Sequence, residues 1–152
     1  MIYSLFDWNY FRHVYSKNNN TIEFRCRQLR RSILKLGTKK ELIIISRSSG
    51  GRVASKIADK LRIKHIICLG YPFKHPEMEI EPDRFLHLID LKTPMLIIQG
   101  TKDEYGGLEI KEKYTLSPAI EVLFVEANHD FKTSDKDWEK VILKISSIID
   151  QI

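Results

Sequence analysis

From residue 41 onward, short apolar runs alternate with stretches whose apolar residues recur at helical spacing. The runs Leu42-Ile43-Ile44-Ile45 (within 41–46), Ile66 to Leu69, Met95 to Gln99 and Ile120 to Val125 predict strands that are apolar on both faces. Between them the pattern predicts a helix from about Gly51 to Leu61, a short helix near Arg84 to Leu91 and another from Leu108 to Tyr114. A last helix, Ser134 to Ile152, is expected to turn Trp138, Val141, Ile142, Ile145 and Ile148 or Ile149 inward. Ahead of these elements, Asn20 with Glu23 reads as a capping box that opens a helix ending at Gly37. Its apolar stripe is Ile22, Cys26, Leu29, Ile33 and Leu36. Residues 2–11 are apolar and aromatic and predict a strand running into a loop. The order implies an α/β chain: a three-layer sandwich with a mostly parallel sheet of four to five strands, forming a single domain over 1–152.

In such a sheet right-handed crossovers bring every C-terminal strand end to one rim, where ligands bind. The first strand stops at Ser46-Arg47-Ser48-Ser49-Gly50-Gly51, and helix-forming sequence follows at once. That layout lifts Ser48 on a tight strand-to-helix turn, the setting a serine nucleophile needs. Gly50 supplies a small residue two places on, and Ser46 stands where a glycine is more usual. A register with Ser49 as nucleophile would put Arg47 at the tight position and is rejected. The loop after Gln99 carries Asp103, and the loop after Val125 carries His129. A weakly nucleophilic hydroxyl needs a base, and a histidine serves if a carboxylate fixes its tautomer, so Ser48, Asp103 and His129 are the candidate catalytic residues. Glu104 is the substitute acid. Asp130 is too close in sequence to reach round the imidazole. His75 ranks below His129 because it lies several residues past its strand. His13, His65 and His87 lack strand-end placement and read as structural or solvent-facing.

Composition narrows the alternatives. A net charge of +5 reflects a basic cluster, Arg25, Arg27, Arg30, Arg31, Lys35, Lys39 and Lys40, on the helix whose apolar stripe faces a core. It reads as a solvated helix face, not a nucleic-acid surface, since only Phe24 is interleaved as an aromatic. The two cysteines, Cys26 and Cys68, have no metal-ligand spacing and read as reduced core thiols of a cytoplasmic protein. No signal peptide or membrane-spanning run is expected, and no cofactor, because neither a metal cluster nor a glycine-rich phosphate cradle is present.

The block Ser46 to Ala54 resembles the G-R-S-x-G-G-R-V/M-A elbow of a small α/β-hydrolase family, the dienelactone-hydrolase-like group that includes testis-expressed and KANL-type proteins. Gly70-Tyr71-Pro72-Phe73-Lys74-His75-Pro76 is similar to that family's next loop. Leu91-Lys92-Thr93-Pro94 and Gln99 to Gly106 resemble its acid loop, and Asn128-His129-Asp130-Phe131 its histidine loop. The resemblance implies that Ser48 is nucleophile, Asp103 acid and His129 base. It also implies that the backbone of Ser49 supplies one oxyanion N–H.

In the full fold a further strand lies beside the elbow strand, and the loop after it gives the second oxyanion N–H. Here the expectation is a truncated α/β-hydrolase fold whose strand 42–45 edge is covered by residues 2–11, by a homodimer partner or by another chain, or whose true start lies upstream of Met1. The expected function is a serine hydrolase for a small ester or thioester, its short 70–83 loop leaving an open pocket. Tyr71, Phe73 and Met78 line an acyl site or, equally, the two aromatics are buried in the core. The alternatives are a catalytically impaired hydrolase-like module lacking a complete oxyanion hole, serving as a remnant or partner-binding scaffold, and a flavodoxin-like small-ligand binder.

Overall fold

A computed structural model describes residues 21–36 and 41–151. The expected strand 2–11, the cap at Asn20, the stop at Gly37 and His13 lie outside the described residues.

The elements run α1 (Ile22–Leu36), β1 (Ile43–Arg47), α2 (Ser49–Leu61), β2 (His65–Leu69), β3 (Met95–Gly100), α3 (Ile110–Lys113), β4 (Ile120–Val125) and α4 (Asp135–Ile149). The four strands form one sheet in the order β1-β2-β3-β4, every pair parallel. Register is continuous across it: Ile44 pairs with Ile66, Ile66 with Met95, and Met95 with Ile120.

Strand alternation divides the core into two layers. Ile44, Ile66, Cys68, Met95 and Ile97 face α1 and α2, where they meet Leu29, Ile33, Val53, Ala54, Ile57 and Ala58. Ile67, Leu96 and Ile98 face the other way, onto Val141, Trp138, Ile145 and Ile148 of α4. Both faces of β2 and β3 are therefore covered, which is why Ile66 to Leu69 and Met95 to Ile98 are continuously apolar. Each fully buried Ile or Leu of this kind contributes about 1.5–3 kcal/mol of transfer free energy. Asp59 on α2 pins the entrance to β3, accepting from the N–H and Oγ1 of Thr93 at 2.7 and 2.6 Å.

Several details differ from the sequence reading. Thr21 Oγ1 accepts from the Phe24 N–H at 3.2 Å, which makes Thr21 the cap of α1. The helix expected near 84–91 is two 3₁₀ turns, Pro82–Arg84 and Leu86–Ile89, separated where Phe85 leaves helical geometry. In α4 the inward stripe is Trp138, Val141, Ile145 and Ile148, and Ile142 is 58% exposed because it falls outside that three-four-three spacing. Ser134 caps α4, accepting from the Asp137 N–H at 3.2 Å.

Among the described residues β1 pairs only with β2, and Ile45 on it is 37% exposed. Among them, too, no helix is long and apolar enough to cross a membrane.

Candidate active site

The turn between β1 and α2 is the tight one that the sequence suggested, and its backbone is strained. Ser48 has φ 50° and ψ −126°, a conformation L-residues rarely adopt, and α2 starts at the next residue. Two backbone bonds hold it there: Ser48 N–H to Leu69 O at 3.0 Å and Gly51 N–H to Ser48 O at 2.9 Å. Ser46 fits in place of the usual glycine because its hydroxyl is buried and donates to Ile67 O at 3.2 Å. The steric demand falls on Gly51, where a Cβ would stand 2.3 Å from Cys68 Sγ. Burial pushes that thiol up to about 12, so Cys68 is an inert packing residue beneath the turn.

At the neighbouring strand ends the structure brings the three candidate side chains together. Ser48 Oγ is 2.9 Å from His129 Nε2. His129 Nδ1 is 3.0 Å from Asp103 Oδ1 and 2.9 Å from Asp103 Oδ2. A carboxylate has no proton to give, so Nδ1 carries the hydrogen and Nε2 offers its lone pair to the serine hydroxyl. Asp103 is buried and bonded beyond the imidazole, with Tyr105 N–H on Oδ1 at 2.8 Å and Gln99 Nε2 on Oδ2 at 3.2 Å. The Tyr105 ring lies against the imidazole with centroids 4.4 Å apart. Ser49 is the first residue of α2, so its N–H is among those with no partner inside the helix, and its Oγ accepts from Arg25 Nη1 at 2.7 Å.

The remaining candidates sort by position. Glu104 is exposed, and Asp130 is exposed and paired with Arg47. His75 stands one ring further out, edge-on to Tyr105 at 5.7 Å. His87 bonds Ser55 Oγ at 2.8 Å, and burial lowers it to about 4. His65 is half-buried and likewise lowered by burial.

Tyr71 and Phe73 correct one of the two sequence readings. Both are 0% exposed; their rings pack on each other at 4.8 Å, and the Tyr71 hydroxyl donates to Arg84 O at 2.6 Å. Neither side chain reaches an open surface where an acyl group would lie, so they belong to the core.

Sequence reasoning passed over Gly70, Gln99 and Arg47 as individuals. Gly70 has φ +67°, and a Cβ there would meet His129 Nδ1 at 3.3 Å and Asp103 Oδ2 at 3.4 Å. Arg47 Nη2 donates to His129 O at 3.1 Å. Gln99 had a legible signal, a polar residue directly after the apolar run Met95 to Ile98.

Comparison of the sequence with known families decides the kinship: the profile of the alpha/beta hydrolase domain matches residues 2–152. The chain belongs to the alpha/beta hydrolase domain family. No curated protein matches it. Solved structures of similar fold include the monoacylglycerol lipase of Paleococcus ferrophilus, at a TM-score of 0.69 and 10% identity over 90% of this chain and 78% of that one. A structure from the metagenome-derived lipolytic enzymes LipS and LipT aligns at 0.65 and 15% identity, covering 88% of this chain and 75% of that one. An alpha-beta serine hydrolase homologue from Coxiella burnetii aligns at 0.57 and 18% identity, covering 75% of this chain and 54% of that one. At such identities the likeness is one of fold. This alpha/beta hydrolase chain spans about half of the Coxiella protein.

Proposed function

We propose that this protein is a serine hydrolase acting on a small ester or thioester through Ser48, His129 and Asp103. One observation carries the reading: Ser48 Oγ lies 2.9 Å from an imidazole nitrogen whose ring is oriented from the opposite side by a buried carboxylate. As Ser48 Oγ attacks the substrate carbonyl carbon, its proton passes to His129 Nε2. The imidazolium so formed is stabilised by Asp103. The carbonyl oxygen becomes an oxyanion, to which the Ser49 N–H donates at the positive end of α2. Collapse expels the alkoxide or thiolate, which takes the proton back from Nε2. Water then releases the acyl group by the same steps with the roles of attacking and leaving oxygen exchanged.

The closer kinship with dienelactone-hydrolase-like and KANL-type proteins is part of this proposal. It is supported by the elbow, the Gly70–Pro76 loop, the acid loop and the histidine loop falling in the family's order. His75, Tyr105 and Met78 are the proposed contacts for the acyl or leaving group: the His75 ring stands edge-on to Tyr105, whose ring lies against His129, and Met78 is exposed on the same 70–83 loop as His75.

A fluorophosphonate probe tests the reading. It is expected to label the wild type and not Ser48→Ala; a folded wild type that takes no label refutes it. One observation favours the second reading, an impaired hydrolase-like module: among the described residues β1 pairs only with β2, so none of them forms the strand beyond β1 whose loop gives the second oxyanion N–H in the full fold. Loss of one such donor costs about a hundredfold to a thousandfold in rate. Stoichiometric labelling without turnover of p-nitrophenyl acetate or a short acyl thioester would select the module.

A further inference from the structure

We propose that Gln99 is a positioning residue for the Ser48–His129–Asp103 array, its side-chain amide fixing the Asp103 carboxylate and the loop that bears it. What the array does rests on the serine-hydrolase reading above; where the amide sits does not.

Gln99 is the penultimate residue of β3, follows four apolar residues and is 0% exposed. A buried primary amide is costly unless its groups are bonded, and here they are. Oε1 accepts from the Tyr71 N–H at 2.9 Å. Nε2 faces Gly106 O at 2.6 Å, Tyr71 O at 3.2 Å and Asp103 Oδ2 at 3.2 Å. Its two N–H groups serve three acceptors, so Gly106 takes one and the other is divided between Tyr71 and Asp103. The amide cannot flip, because its oxygen would then face the Gly106 carbonyl and the Asp103 carboxylate.

The consequence is a tie between two strand-end loops. Through Tyr71 the amide grips the loop after β2; through Gly106 and Asp103 it grips the loop after β3. Gly106 N–H in turn donates to Asp103 O at 3.1 Å, so both ends of the segment 103–106 are held. With Tyr105 N–H on Oδ1 and Gln99 on Oδ2, each carboxylate oxygen has a fixed donor besides the imidazole. The plane of Asp103, and with it the direction of His129 Nε2 toward Ser48, is thereby set. Misplacement of a reacting group by about 1 Å can cost a hundredfold in rate, so this constraint bears directly on the chemistry.

The test uses two variants. Gln99→Met removes the amide at nearly constant volume. Gln99→Glu keeps an acceptor for Tyr71 N–H, but its second oxygen meets Gly106 O and Asp103 Oδ2. Protonated, the introduced acid can donate one bond there; ionised, it repels Asp103. Burial and the neighbouring carboxylate both resist that ionisation, which moves it to higher pH. The expected results are a drop of about tenfold or more in the fluorophosphonate labelling rate per folded molecule for Q99M, and a new descending alkaline limb in the labelling profile of Q99E. The far-downfield proton resonance of the His129 Nδ1–H bonded to Asp103 is expected to move or broaden in Q99M. That resonance is read without activity, so it tests the positioning role even if the wild type takes no label. An unmoved resonance overturns the proposal, as does a Q99E profile of wild-type shape. Failure of both variants to fold also overturns it, because the amide would then be a structural staple alone.

Discussion

Arg47 Nη2 donates to the carbonyl oxygen of His129 at 3.1 Å and to Asp130 Oδ1 at 3.2 Å, so the residue just before Ser48 holds the loop that carries the imidazole. The two halves of the Ser48–His129 pair come from positions 81 apart in sequence, and Arg47 ties their loops together at the rim. The ion pair itself is largely exposed and is worth at most about 1 kcal/mol.

Stability and function should therefore separate at this position. Arg47→Ala is expected to change unfolding free energy by no more than about 1 kcal/mol while slowing fluorophosphonate labelling severalfold. Asp130→Asn leaves the bond to His129 O in place and should label at close to the wild-type rate. Equal slowing in both variants would show that the ion pair, not the carbonyl contact, matters. Labelling kinetics beside urea titrations make the comparison.

A second prediction concerns the underside of the elbow. At Gly51 a methyl group would stand 2.3 Å from Cys68 Sγ, closer than real contacts allow. Gly51→Ala is expected to destabilise by about 1–3 kcal/mol through overpacking between α2 and β2. Because the severe approach is to Cys68 Sγ, while Tyr71 Cδ2 and Cys68 Cβ stand at 3.1 and 3.2 Å, Cys68→Ala in the same chain should recover part of that loss, although Cys68→Ala alone is destabilising. A double-mutant cycle from denaturant unfolding gives the coupling, and additivity of the two changes would refute the close approach.

Much of this is legible in the sequence. Four apolar runs gave four parallel strands, because strands covered by helices on both faces have no polar side to disguise them. Placing Ser48, Asp103 and His129 at strand ends followed from topology alone: parallel strands share one rim. What sequence could not supply was anything set by packing between elements. Ile142 has the right chemistry for the core and the wrong angle on α4. Tyr71 and Phe73 sit in a loop at the rim, yet their rings turn into the core, where they pack on each other. The strand-end burial of Gln99 was visible only as an oddity of pattern until its partners were in place. The tight turn at Ser48 was inferable from the elbow, whereas the strain at Phe131, φ 57°, had no sequence signal.

Gly70 offers a third prediction. Its φ of +67° suits glycine, and the space beside it is closed by Phe131, His129 and Asp103. Gly70→Ala adds about 1–2 kcal/mol of backbone strain. Its methyl also presses on the His129–Asp103 bond. The labelling rate per folded molecule should fall about tenfold, whereas strain remote from the pair would lower the melting temperature and leave that rate unchanged.

The last prediction is one of pH. His87 is lowered from its ordinary 6.5 to about 4, first by burial, then by Lys56 and Arg52, against the opposing pull of Asp83. Its Nε2 shares a hydrogen bond with Ser55 Oγ, and its Nδ1 is buried without a partner among the described residues. The unfolded chain takes up a proton at His87 near pH 6.5 and the folded chain only near pH 4. Between those values the unfolded state binds more protons, so stability rises with pH there. The contribution is fully present above about pH 6.5 and is lost as acidity increases toward about pH 4. Since the ring is partly open to solvent, about 1–2 kcal/mol is expected, less than the full shift would give. Asp59 and Asp83 are held below the usual carboxylate range, Asp59 by the Thr93 and Lys92 donors despite burial and Asp83 by Lys56, so they also add an acid-side loss. The histidine's share is isolated by His87→Gln, which keeps a neutral partner for Ser55 and cannot titrate. Denaturant unfolding of both proteins from pH 4 to 7 should show a constant difference above about pH 6.5 and, below it, a wild type that loses about 1–2 kcal/mol more than His87→Gln as the pH falls toward about 4. Curves that stay parallel throughout would mean that His87 is no more buried than a surface histidine, and that the packing of the 3₁₀ turns against α2 is looser than the structure places it.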